Sequence, residues 1–400
     1  MRATAAIIRV SLALCGLLSV CWATEASDLS AADLFESLKS QALANLKQPL
    51  LGGRAVPDGA GSGCSHRNTI VRKDWEALTK DERRDYTRAV KCLMSKPSQA
   101  DPAFAPGART RYDDFVAVHI NHTDFIHASG YFLTWHRYFV WAYEKALRDE
   151  CGYKGYQPYW NWFAYIDDPC MSPLFDGSDS SLSGDGDFWE HNGTVIGPGN
   201  VFVPSGRGGG CVTSGPFANT TINLGPIRPA MRGLLPSPTG PLGYNPRCLR
   251  RDLSATILST YMTFENLLNI TTGDASANIR LFQDELQGRA ASGFPGMHSA
   301  GHFGVGGEAG DIYSSTNEPT FFLHHAMVDL MYWVWQSFHL RGGIAYEIAG
   351  TITSRNSPPS RDALKSDPVD LGGGLLGAET RPISDLLDTQ GGAPLCYMYA

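Results

Sequence analysis

The chain has 400 residues, of which 43% are hydrophobic and 18% charged, so it contains enough apolar material for a large globular core. Its formal net charge is −7 at pH 7, and the sequence shows no cluster of lysine and arginine. Nucleic acid and anionic membrane surfaces are therefore excluded as its main partners. The 43 glycines and 24 prolines predict long loops between the regular elements.

The first 26 residues are typical of a secretory signal peptide. Arg2 and Arg9 precede the apolar run from Ser11 to Val20, and Ala23 and Ala26 are small residues suited to cleavage. That run is too short to cross a bilayer, and no later stretch reaches about 18 uninterrupted apolar residues. The sequence therefore predicts a secreted, extracellular protein with no membrane partner.

Cysteines and glycosylation sequons agree with export. Seven cysteines follow the signal segment, and an odd number predicts three disulfides and one free thiol, with the pairing left open. Four Asn-x-Thr sequons are candidate glycosylation sites, namely Asn121, Asn192, Asn219 and Asn269.

Helices are predicted at intervals along the chain by apolar spacing and by capping signals. The first covers 28–48, and the capping box Thr79-Lys-Asp-Glu82 begins the second. Further helices are predicted over 113–118, 136–149, 251–269, 277–287 and 320–340. Residues 165–250, which contain three cysteines, predict a long, disulfide-tied loop region. Little of the sequence alternates with period two, so strands are expected to be few and short.

Eight of the 11 histidines fall in two groups. The first comprises His119, His122, His127 and His136, and the second His298, His302, His324 and His325. Histidines four positions apart, like the first two of the second group, share one helix face and suit a single metal ion. Either group alone is also explained by buried rings bonded to backbone carbonyls, but two groups that each supply three imidazoles favour metal binding.

The donor set narrows the choice of metal. Imidazole nitrogens suit copper, zinc, iron or nickel, and neither group contains an acidic residue that is an obvious ligand. Two tri-histidine sites indicate two copper ions that face each other across a small bridging molecule. Asp329 follows His325 by one helical turn and is predicted to orient a ligand ring or to accept a hydrogen bond from Arg137. His66, His191 and His339 are interpreted as surface or supporting residues.

Several segments resemble the type-3 copper proteins, which comprise tyrosinases, catechol oxidases and haemocyanins. YDDFVAVH (112–119), His127 and FLTWHRYFVWAYEKAL (132–147) look like the first copper region of that family. MHSAGH (297–302) and NEPTFFLHHAMVDLMYWVWQ (317–336) look like the second, and Tyr397 and Tyr399 look like its Tyr-x-Tyr motif. The resemblance runs from about residue 50 to the end of the sequence and indicates a short, secreted, fungal-type polyphenol oxidase.

The resemblance implies a mainly α fold, in which a central four-helix bundle holds a dinuclear copper site among long loops. One catalytic domain, 27–400, would end at the Tyr-x-Tyr motif without a C-terminal lid domain. The implied ligands are His119, His127 and His136 for one copper and His298, His302 and His325 for the other. The implied supporting residues are His324, Asp329, Arg137 and Phe321. The implied substrate rim comprises Ser299, Phe303, Ile312 and Gln287.

The activity that the resemblance implies is oxidation of o-diphenols to o-quinones, with O2 reduced to water and small phenols as the substrates. Family members that also hydroxylate monophenols are thought to use an Asn and a Glu where this chain has Ser299 and Gln287. Because glutamine cannot act as a base, monophenol hydroxylation is predicted to be weak or absent, unless Glu285 takes that role.

Other readings remain open at this point. A full tyrosinase, an o-aminophenol oxidase, a haemocyanin-like oxygen carrier and, more distantly, a zinc hydrolase would all use such histidines. Some relatives link a cysteine to the second ligand of the first copper. Phe125 stands two positions before His127 and no cysteine lies nearby, so that cross-link is predicted to be absent. The sequence gives no indication of the oligomeric state.

Overall fold

The computed structural model describes residues 30–47, 64–65, 67–197, 200–289 and 292–400. The predicted signal segment and His66 lie outside this part of the chain. Within it, no helix combines the length and the apolar character that crossing a bilayer requires.

The described residues contain nine α-helices, so the mainly helical prediction is confirmed. They are α1 (Ala31–Lys47), α2 (Lys80–Ser95), α3 (Arg111–Ile126), α4 (Phe132–Cys151), α5 (Ala255–Tyr261), α6 (Phe264–Thr271), α7 (Ile279–Gln287), α8 (Gly296–Val305) and α9 (Phe321–His339).

Capping explains where two of these helices begin. At α2 the predicted box is present, since Thr79 and Glu82 each accept a hydrogen bond from the backbone of the other. At α3 Thr110 and Asp113 form a second box, which the sequence analysis missed. The helix predicted over 113–118 is therefore longer at both ends. The segment predicted as one helix over 251–269 is two, α5 and α6, separated at Met262 and Thr263.

Strands are short, with two to four residues each, and form five two-stranded pairs in the described residues. They are β1 (Ile70–Arg72), β2 (Gly186–Phe188), β3 (Thr194–Ile196), β4 (Val201–Val203), β5 (Gly209–Val212), β6 (Thr221–Ile222), β7 (Arg247–Cys248), β8 (Pro368–Val369), β9 (Arg381–Pro382) and β10 (Tyr397–Tyr399). β1 pairs with β10 in parallel, with Ile70 opposite Tyr397. This pair brings the Tyr-x-Tyr segment against the interior.

Three disulfides and one free thiol occur among the described cysteines, as predicted. Cys64–Cys396 fastens the chain beside β1 to the segment before β10, and Cys92–Cys151 joins the last turns of α2 and α4. Cys211–Cys248 ties the loop region between α4 and α5, while Cys170 in the same region is unpaired.

The core is rich in aromatic residues where α3, α4 and α9 meet. Phe115 of α3, Phe139 and Tyr143 of α4 and Phe322 of α9 are fully buried. The rings of Tyr143 and Phe322 stack with centroids 3.4 Å apart, and the other two rings meet them at 5.4–6.1 Å. These packed rings fix the relative positions of the helices that carry histidines.

A buried ionic network joins the same helices to the end of the chain. The Asp329 carboxylate accepts hydrogen bonds from Arg137 Nε at 2.6 Å and from the hydroxyls of Tyr397 and Tyr399 at 2.5 and 2.6 Å. Burial alone would raise the pKa of Asp329, but Arg137, Arg72 and the two hydroxyls hold it below its usual value. The carboxylate thus accepts from Arg137, one of its two predicted roles, and contacts no histidine through a hydrogen bond.

Removing this carboxylate would leave two buried arginines without their shared counter-charge. The substitution Asp329→Asn is expected to lower the free energy of unfolding by about 3–5 kcal/mol, measured by equilibrium urea unfolding. Asp149→Asn is the matched control, because Asp149 pairs with Lys145 on the exposed face of α4 and should leave the midpoint unchanged. Equal midpoints for Asp329→Asn and the unmodified protein would contradict this assignment.

Candidate metal centre

The first histidine group converges on one point in the interior. His119 lies on α3, His127 immediately follows that helix, and His136 lies in the second turn of α4. All three are buried, and each offers one ring nitrogen within 4.8 Å of the nitrogens of the other two. The structure therefore brings the first predicted trio together.

Backbone carbonyls orient these three rings. The Nδ1 atoms of His119, His127 and His136 lie 2.8, 3.1 and 2.8 Å from the carbonyl oxygens of Tyr313, Thr123 and Phe132, in that order. A neutral imidazole that donates from Nδ1 carries its lone pair on Nε2. The carbonyls thus select the tautomer that presents Nε2 to the common point.

The Nε2 atoms have the character expected of metal ligands. Those of His119 and His136 are buried and have no hydrogen-bond partner among the described residues. Burial lowers the pKa of both rings well below the usual value and that of His127 to about 4. Because buried polar atoms are almost always paired, unpaired lone pairs on neutral rings fit a metal ion.

The second trio also converges. The Nε2 atoms of His298 and His302, one turn apart on α8, are 3.2 Å apart, and Nε2 of His325 on α9 lies 3.3 Å from that of His302. Burial lowers the pKa of all three rings, that of His302 to about 3. Three neutral nitrogens at this spacing form a second donor set that fits a metal ion.

His324 lies beside this trio but is differently engaged. Its Nδ1 accepts a hydrogen bond of 3.0 Å from the indole N–H of Trp162, so its lone pair is already used. Its ring packs on Gly301, where a Cβ would collide with it. His324 therefore packs against the helix that carries His298 and His302, and its supporting role stays a prediction.

The two trios face each other. The rings of His136 and His325 stack with centroids 4.3 Å apart, and the ring of Phe321 lies 5.1 Å from His119 and 4.2 Å from His325. Phe321 thus contacts both trios, and Arg137, next to His136, is fixed by Asp329 of α9. The six rings are thus gathered between α3, α4, α8 and α9, where five of them are buried and His302 is half-buried.

The predicted rim residues lie in two places. Ser299 and Gln287 line one small cleft, and the Ser299 hydroxyl donates to the Gln287 carbonyl oxygen at 3.3 Å. The side-chain oxygen of Gln287 accepts from the Ala128 N–H at 2.7 Å, next to His127. Phe303 is half-buried beside Gly310. The side chain of Ile312 is exposed, and the next residue, Tyr313, bonds His119 through its carbonyl oxygen.

The Glu285 carboxylate is bonded to two other side chains. Its carboxylate pairs with Arg289 at 2.7 Å and accepts from the Asn269 side chain at 3.1 Å. The structure therefore gives no support to Glu285 as a substitute base.

The remaining described histidines stand apart from both trios. His122 bonds the Val118 carbonyl oxygen at 2.8 Å, His339 bonds that of Trp335 at 2.7 Å, and His191 pairs with Asp252. Of the four sequons, Asn121, Asn192 and Asn219 are exposed, whereas Asn269 is half-buried and hydrogen-bonded. Glycosylation at any of them remains a prediction.

Sequence reasoning missed the groups that orient the rings. The carbonyls of Tyr313, Thr123 and Phe132 are backbone atoms and carry no residue-type signal. Trp162, the partner of His324, lies far from it in the sequence. The one sequence signal for its burial is its place in the aromatic segment YWNWF (159–163).

Comparisons with known proteins agree on one family. The family model of the common central domain of tyrosinase matches residues 109–338. The tyrosinase-like protein orsC of Emericella nidulans is 41% identical over 309 residues, covering 73% of this chain and 80% of its own length. Tyrosinase P of Aspergillus terreus is 37% identical over 340 residues, covering 82% of this chain and 91% of its own length.

A solved structure is also similar along almost the whole chain. A polyphenol oxidase variant from Thermothelomyces thermophila is 38% identical, covers 92% of this chain and 96% of its own, and superposes with a TM-score of 0.79. The family implies a copper cofactor, with which both histidine clusters are compatible. The resemblance seen in the sequence is thus confirmed, and the chain belongs to the tyrosinase family of copper-dependent phenol oxidases.

Proposed function

We propose that this protein is an o-diphenol oxidase that binds two copper ions and converts catechols to o-quinones while O2 is reduced to water. The observation that carries the proposal is the pair of facing tri-histidine sets, joined by the His136–His325 stack at 4.3 Å. His119, His127 and His136 would hold one copper, and His298, His302 and His325 the other. The coppers, when bound, supply the site of oxygen chemistry.

The surrounding residues bury most of this centre and orient its rings. The carbonyls that accept from Nδ1 hold each ring of the first trio in one tautomer. Phe132 packs against His136 and His298 at 5.1 and 4.9 Å, and Phe321 covers the gap between the trios. Rigid packing of this kind fixes ligand geometry before a substrate arrives.

The lack of a suitable base near the second trio favours diphenols over monophenols as substrates. The side chain of Gln287 is a neutral amide, which is not a base, and its oxygen already accepts a hydrogen bond from the Ala128 N–H. The Glu285 carboxylate is paired with Arg289. Deprotonation of a monophenol would therefore receive no general-base assistance from these side chains. A catechol, with a more acidic hydroxyl, depends less on such a base.

The proposal also covers the location of the enzyme and its domain organisation. The signal-like first 26 residues, three disulfides and four sequons support secretion of a glycosylated enzyme. A single catalytic domain over 27–400 that ends at the Tyr-x-Tyr motif is part of the same proposal, because the β1–β10 pair and the Asp329 network fasten that motif into the core.

Copper content tests the ligand assignment. Protein reconstituted with copper is expected to hold about two ions per chain, and His136→Gln about one, because two imidazoles alone bind the first ion weakly. Elemental analysis after gel filtration measures this. His122→Gln is the matched control, since His122 is a neighbouring histidine on α3 outside both trios, and it should retain both ions. Full copper content in His136→Gln would contradict the assignment.

The lowered pKa values predict how the copper-free protein responds to acid. His127 and His302 have pKa values of about 4 and 3 in the folded protein, against about 6.5 when unfolded. Between these limits the unfolded chain binds more protons, so stability present above pH 6.5 is lost progressively as the pH falls towards 4. Urea midpoints at pH 7, 6 and 5 measure the loss.

The double variant His127→Gln/His302→Gln serves as the comparison for this experiment. Without two of the histidines whose pKa is lowered, its urea midpoint should fall less steeply over the same pH range. An identical slope in the two copper-free proteins would show that other groups cause the acid response.

Substrate preference tests the absence of a base. Purified copper-loaded protein is expected to oxidise hydroxytyrosol at least about 100-fold faster than it hydroxylates tyrosol, since general-base assistance contributes a factor of that order. Initial rates of oxygen consumption provide the measurement. Rapid hydroxylation of tyrosol without a lag would identify a full tyrosinase instead.

A further inference from the structure

A cationic side chain stands at a small cleft whose walls include Ser299, which follows His298, and Gln287, which is bonded to the residue after His127. The cleft is lined by Gln287 and Ser299, by Phe294 and Pro295 before α8, and by Arg355. Arg355 belongs to the turn Ser354–Asn356, which contacts α3. Nothing in the sequence singled this residue out.

The backbone of Arg355 is tied directly to the metal-binding segment. Its N–H donates to the carbonyl oxygen of Ala128 at 2.9 Å, and Ala128 is the residue that follows His127. The N–H of Ala128 in turn donates to Gln287. Arg355 and Gln287 therefore hold the two sides of one peptide segment, and both face the same cleft.

The conformation of this turn is costly. Arg355 and Asn356 have φ angles of 51° and 55°, in the left-handed region that residues other than glycine rarely adopt. The hydrogen bonds from Asn356 N to Thr353 and from Ser360 N to the Asn356 side chain hold the turn in place. Strain of this kind persists where the surrounding structure enforces it, often at ligand-binding sites.

The guanidinium of Arg355 has no ion-pair partner within the described part of the chain. The other arginine near this cleft, Arg289, is neutralised by Glu285 at 2.7 Å. The side chain of Arg355 is exposed and lines the cleft, so its charge is open to a ligand there.

We propose that Arg355 selects catechols that carry a carboxylate on a short side chain, by pairing with that carboxylate while the ring lies in the cleft between Pro295 and Ser299. The inference rests on the proposed diphenol oxidation and adds the substrate class to it. A protein of net charge −7 repels anionic substrates at long range, so one uncompensated arginine at the cleft changes the local preference. Arginine also binds a carboxylate through two parallel hydrogen bonds.

The test compares each acid with its own methyl ester. 3,4-Dihydroxybenzoate, 3,4-dihydroxyphenylacetate and 3,4-dihydroxyphenylpropionate are assayed beside their esters, and kcat/KM for acid is divided by kcat/KM for ester. In Arg355→Gln the ratio is expected to fall about five- to tenfold for at least one acid, through KM rather than kcat. Arg355→Lys should restore part of the ratio, because it restores the charge.

Two controls separate a local charge effect from others. Arg148→Gln makes the same change in net charge, but Arg148 lies about 18 Å along α4 from His136 and stacks on Tyr156. Its acid-to-ester ratio should equal that of the unmodified protein. Raising the ionic strength to 0.5 M shortens the screening length to about 4 Å and should lower the ratio in the unmodified protein but not in Arg355→Gln.

A ligand without hydroxyl groups keeps this inference distinct from the proposed function. 3-Phenylpropionate should bind the copper-loaded protein more weakly after Arg355→Gln, as measured by calorimetry, while its methyl ester should not. If 4-methylcatechol is not oxidised at all, the proposed function fails, and the calorimetry still decides on Arg355. An acid-to-ester ratio and a phenylpropionate affinity that are the same in Arg355→Gln and the unmodified protein would overturn the inference.

Discussion

Six uncharged imidazoles with lone pairs directed at one another dominate the interior of this protein. Bringing such groups out of water is unfavourable unless each finds a partner, and the Nε2 atoms of His119 and His136 have none among the described residues. Metal binding resolves the conflict, because a cation takes up the lone pairs and tolerates the absence of water. The fold therefore has to hold polar rings rigidly in a place where a hydrophobic core would otherwise be more stable.

That rigidity has two sources. Locally, the carbonyls of Thr123 and Phe132 lie four residues before His127 and His136, so helical geometry itself places each acceptor under the ring. Globally, Asp329 gathers Arg137 and the Tyr-x-Tyr hydroxyls into one buried network. The second source explains why a motif at the end of the sequence matters to a site built from helices in the middle.

The sequence was sufficient to predict the histidine clusters, but not the contacts that hold those histidines in place. The spacing of His298 and His302 and the two histidine groups predicted the two clusters that the structure brings together, because residues four positions apart share a helix face. The partner of His324 and the pairing of Cys64 with Cys396 depend on contacts between distant segments, which residue type alone does not encode. The capping box that begins α3 was visible in the sequence as Thr110 and Asp113 and was overlooked.

The segment around Ala128 joins the cleft lined by Gln287 and Arg355 to the first trio. Its two backbone groups are held by Gln287 and Arg355, one residue away from the ligand His127. The residues that shape the cleft thus also fix the position of a ligand. An exchange at Gln287 that introduced a base would place a new charge on the peptide that positions His127. A change at Gln287 or Arg355 would therefore be transmitted to His127 through this one peptide.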